Sequence, residues 1–202
     1  MKTLRTFTVT AAAGVTVLAL ASPASALYAG NIQASLLGTA TVTTSLGGGS
    51  CTSSTLNGAL ASGGGLSVSS AGFSSCSGAT VTAQNLPWTG GNVTASTAVP
   101  GGRDGTATIA GFRVRAVVTI LGANVTCVYG GNLTANAYNG TNAARPVPGN
   151  GQFQISLNNV SAAKQSGSNF LCPGTASVVA TYEVKGESVP GSGVYNQSIS
   201  LP

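Results

Sequence analysis

The chain has 202 residues, of which only 5% are charged: eight basic, three acidic and no histidine. Without histidine, a Ser-His-Asp triad, a Cys-His dyad and a His-ligated metal site are excluded. Three carboxylates are too few for a hard-cation cage, so no cofactor is expected.

The amino terminus reads as an export signal. Lys2 and Arg5 precede an apolar stretch from Val9 to Leu20, Ser22-Pro23 breaks it, and Ala24-Ser25-Ala26 supplies the small residues for cleavage after Ala26. The stretch is shorter than the roughly 18 apolar residues of a membrane span. The expected organisation is a signal peptide over 1–26 and one secreted β domain over 27–202. That domain is extracellular or cell-surface associated, with no integral membrane segment after processing. It keeps six basic residues, too dispersed for a nucleic-acid partner.

In the exported part, helix signals are nearly absent, while period-two alternation recurs between Gly-rich turns. Runs at 36–45, 66–70, 79–86 and 92–99 read as strands. The clearest strand spans 105–120, where Phe112, Val114, Ala116, Val118 and Ile120 share one face and Arg113, Arg115, Val117 and Thr119 the other. Further runs lie at 123–129, 132–138, 152–157, 176–184 and 194–201, with Tyr129-Gly130-Gly131-Asn132 read as a tight connection. The glycines at 47–49 read as a turn, and 160–166 is the one stretch that tolerates a short helix. The expected fold is all-β: an antiparallel β-sandwich or barrel of about 8–10 short strands.

Four cysteines, all beyond residue 26, imply two disulfides in an oxidising compartment. Three pairings are possible. The sequential one, Cys51–Cys76 and Cys127–Cys172, needs least chain closure and would stabilise by about 3.5 and 4 kcal/mol. The cysteines are too widely spaced for a C-x-x-C redox pair or a zinc site.

Three residues are candidate binding groups. Trp88, after the strand-ending Pro87, is either a recognition platform or a cap on the core. Arg113 and Arg115 share a strand face and would grip an anion bidentately, or pair with Glu183 and keep the strand soluble. The acidic residues are Asp104, Glu183 and Glu187. A polysaccharide hydrolase would need Asp104 and Glu183 across a cleft; the plainer view is that Arg103-Asp104 is a polar loop and that Glu183 and Lys185 neighbour one another on a solvated strand.

The order Cys51, Cys76-Ser-Gly, Leu86-Pro87-Trp88, Cys127-Val-Tyr129, Leu171-Cys172-Pro173 and Tyr182-Glu-Val184 resembles small secreted proteins of actinobacteria with no assigned activity. The resemblance implies an exported all-β domain and carries no site residues across. The leading expectation is a non-enzymatic secreted or cell-envelope protein acting as a binding or structural module. Its partner would be another extracellular protein or a cell-surface glycan, in part through exposed strand edges. The alternatives are the hydrolase, a secreted protease inhibitor with a Gly/Pro bait loop, and a membrane-inserting β assembly with an apolar outer face.

Overall fold

The computed structural model describes residues 27–96, 102–120 and 122–202; the expected leader and its cleavage point at Ala26 lie outside the described residues. Ten strands follow in order: β1 (Gly30–Thr44), β2 (Gly47–Leu60), β3 (Gly65–Ser77), β4 (Ala79–Ala83), β5 (Trp88–Ala95), β6 (Gly105–Ile120), β7 (Ala123–Tyr138), β8 (Phe153–Lys164), β9 (Thr175–Glu187) and β10 (Tyr195–Gln197). Neighbouring strands pair antiparallel in one sheet, and β9 returns to β1 with Ala34 opposite Val184 and Thr43 opposite Ser177. The sheet is therefore a closed eight-stranded barrel of β1, β2, β3, β5, β6, β7, β8 and β9, not a sandwich. Strand β4 lies beside the second half of β6, beyond the reach of β5, and β10 adds to β9.

Closure follows from length and coiling. All barrel strands but β5 run 12 to 16 residues, longer than the expected short strands. Pairing slips between Ser35 and Ala40 in β1, between Ile109 and Phe112 in β6, and between Leu157 and Val160 in β8. Each bulge sharpens the local twist, so a sheet this long curls until its edges meet. At the β6 bulge, Gly111 takes a φ of 70°, which a side-chain-bearing residue adopts only with strain. Closure pairs both edges of the barrel, and β4 and β10 are each paired on one side only.

Several sequence expectations change. Tyr129 to Asn132 is not a turn: it lies inside the continuous strand β7. Gly130 is required there because a Cβ at this position would lie 2.5 Å from the Phe112 carbonyl oxygen on β6. The glycines at 47–49 open β2, a strand that its Ser, Thr and Gly content hid. The helix-tolerant stretch is strand through Lys164, because tertiary pairing to β9 outweighs a weak local preference. The disulfides are Cys51–Cys76, between directly opposed residues of β2 and β3, and Cys127–Cys172, which ties the β8–β9 loop to β7.

Inward residues are apolar and form one core. Leu133, Ala107 and Ala137 have no exposed surface, and Trp88, Phe153 and Val184 are nearly as deep. One end of the barrel is filled by this cluster together with Ile199 and Leu201. Asn139 pins that terminal segment by accepting from the Leu201 amide at 2.7 Å and donating to its carbonyl at 3.3 Å. Many outward residues are neutral and polar and bond strand to strand, as in Gln33–Asn57–Ser70 and Thr108–Thr134.

Candidate functional site: an apolar cavity inside the barrel

The barrel is filled at one end only. Towards the turns β1–β2, β3–β4 and β6–β7 its interior becomes a cavity of about 210 Å³. Ala40, Val42, Ala116, Val118, Val178 and Ala180 line its walls. Alternation along the long strands aims these side chains inward, and their small size leaves the space. At the floor Trp88 meets Phe112, ring centroids 5.0 Å apart and tilted by 58°, and its indole N–H donates to the Gln84 carbonyl at 2.8 Å.

Two phenols are the polar features of this apolar wall. Tyr182 is hydrogen-bonded to Ser54 Oγ at 3.1 Å, both residues being buried, and burial pushes its phenol pKa above the ordinary 10.0, the Ser54 bond opposing the rise. Tyr129 donates to the Pro173 carbonyl at 3.3 Å, and burial raises its pKa as well. Both therefore stay neutral at physiological pH. Thr44 continues the inward row of Ala40 and Val42 at the open end, whereas the Ser50 and Ser77 hydroxyls, 3.0 Å apart, pair on the outer face beside the inward Cys51–Cys76 bridge.

The expected binding trio does not share a surface. Trp88 is only 2% exposed and faces the cavity, so it is no external platform. Arg113 and Arg115 alternate with cavity-lining Phe112, Val114 and Ala116 and so project from the outer wall. Arg113 donates to Gln84 Oε1 and, at 2.6 Å, to the Ser166 carbonyl; Arg115 donates to Thr126 Oγ1. Neither pairs with Glu183.

The two carboxylates of the hydrolase alternative are each committed to a separate structural task. Asp104 accepts from the Asn139 amide at 2.6 Å and the Asn142 side chain at 2.8 Å, bracing the loops at the filled end. Glu183 accepts from Asn150 at 2.7 Å and from Lys185 at 2.9 Å. Burial raises its pKa, but the Asn150 amide and Lys185 outweigh this and hold it below the usual range. Glu187 accepts from the Gly193 and Gly191 amides and from Asn31, a nest that keeps it ionised.

Sequence reasoning named the apolar face of β6 but assigned it no site. The cavity needs the facing walls of β1 and β9, and no local pattern reveals that they enclose it. Among the described residues no group of three or more His, Cys, Asp or Glu could hold a metal, and no helix is long and apolar enough to cross a membrane. Comparison with family models, curated proteins and solved structures returned no match, so the cavity stands on its own geometry.

Proposed function

We propose that this protein is a secreted, non-enzymatic carrier that holds a small apolar molecule inside its barrel. The observation that carries the reading is the 210 Å³ cavity, walled by aliphatic side chains and closed at one end. Eight-stranded barrels have interiors just wide enough for side chains or for one small ligand, and here part of the interior is unfilled. An apolar cavity of about 150 Å³ in another protein stays dry and takes up benzene. Two disulfides favour an oxidising compartment, and with the leader-like first 26 residues they support secretion.

A membrane-inserting assembly fits less well, because a membrane-spanning barrel turns apolar residues outward and polar ones inward. Here the outer wall of β6 carries Thr106, Thr108, Arg113 and Arg115 with a single valine, Val117, among them, while the interior is apolar. The test is calorimetric titration of the oxidised protein with naphthalene. Saturable one-to-one binding that is lost when Ala116→Phe or Val42→Phe fills the cavity is expected. Absence of binding, or binding indifferent to both folded variants, overturns the proposal.

A further inference from the structure

The chemistry of the walls narrows the ligand, an inference that rests on reading the cavity as a binding site. Every charged side chain of residues 27–202 lies outside the cavity lining. Of those towards the open end, Arg113 and Arg115 project outward. Lys164 turns its ammonium to the Phe170 and Cys172 carbonyls, at 3.4 and 2.9 Å. The buried phenol of Tyr182 is already bonded to Ser54. A carboxylate or ammonium drawn into this space would lose its water and meet no counter-charge, a cost that hydrocarbon burial does not offset.

The nearest serine hydroxyls do not change this: Ser50 stands opposite Thr41 and Ser77 on the outer face, while the adjacent Cys51–Cys76 pair faces the cavity. The volume sets the size: if about 150 Å³ accommodates benzene, 210 Å³ corresponds to roughly eight to ten non-hydrogen atoms.

We infer that the natural ligand is an uncharged, chiefly hydrocarbon molecule of roughly that size, such as a medium-chain or terpenoid alcohol. Its hydrocarbon part fills the space between β1, β6 and β9.

The experiment compares 1-octanol, octanoate and octylammonium as competitors of naphthalene at neutral pH, on the full oxidised chain. 1-Octanol is expected to displace naphthalene with an affinity at least about tenfold above either ion. Octanoate binding as tightly as 1-octanol, and losing affinity in Lys164→Gln, would make the ligand an anion and overturn the inference while leaving the carrier reading intact. Failure of naphthalene and of all three octyl compounds to bind would remove the carrier reading and this inference together.

Discussion

Individual side chains in this protein act mainly as neutral hydrogen-bonding partners, and the few that ionise mark where pH will be felt. Tyr182 and Ser54 satisfy each other in the interior. Tyr182→Phe leaves the buried Ser54 hydroxyl without its partner and is expected to cost about 1–3 kcal/mol, read from denaturant unfolding. The wild-type phenol also has a raised pKa, so the stability it confers is intact below pH 10.0 and is lost as pH rises beyond it. Stability curves for the wild type and Tyr182→Phe should therefore converge in strong alkali. Glu187 works in the opposite direction. The amides of Gly193 and Gly191 hold its carboxyl below 4.5, so its contribution is present above that pH and is lost as acid protonates it. Protection of the Gly191 and Gly193 amides, taken relative to their intrinsic exchange rates, should fall on acidification, and Glu187→Gln should remove that pH dependence.

At the scale of elements, strands and disulfides were unequally legible in the sequence. The β6 alternation stood out because apolar and charged residues strictly interchange along it, and the disulfide pairs followed from chain closure. Strand β7 was divided in two because Gly130 and Gly131 read as a turn, whereas Gly130 answers the close approach of β6. Gly130→Val should cost about 1–3 kcal/mol through that contact, measured as a fall in the unfolding midpoint. Strand β2 was missed because a neutral barrel wall is built from Ser, Thr and Gly as readily as from the usual strand formers. Replacing both Cys127 and Cys172 with Ala frees the β8–β9 loop and removes a cross-link spanning 45 residues. The expected loss is about 4 kcal/mol. Pro173 lines the cavity beside that bridge, so ligand affinity should fall together with stability.

At the scale of the molecule, an interior of alkyl groups is enclosed by a wall in which neutral hydroxyls and amides predominate over a few charged and apolar side chains. That outer wall explains how a chain with only 5% charged residues presents a polar surface. Neither barrel closure nor the cavity was legible beforehand, because both depend on β9 returning to β1 and on the sum of small side chains from facing strands. The cavity's finite size makes a quantitative prediction. In a series of straight-chain alcohols, each added methylene should tighten binding about fourfold while it is buried, about 0.8 kcal/mol each. The gain should stop once the 210 Å³ is filled. Affinity that keeps rising with chain length would place the site on an open surface.

The most direct measurement is a methyl-resolved NMR titration with 1-octanol, because sequence neighbours report on opposite sides of the wall. Val118 and Val178 face the cavity, whereas the adjacent Val117 and Val179 alternate to the outside. Saturable shifts at Val42, Val118 and Val178, with Val117 and Val179 unmoved, are predicted. Shifts confined to the outward methyls, or none at all, would contradict a ligand held inside the barrel.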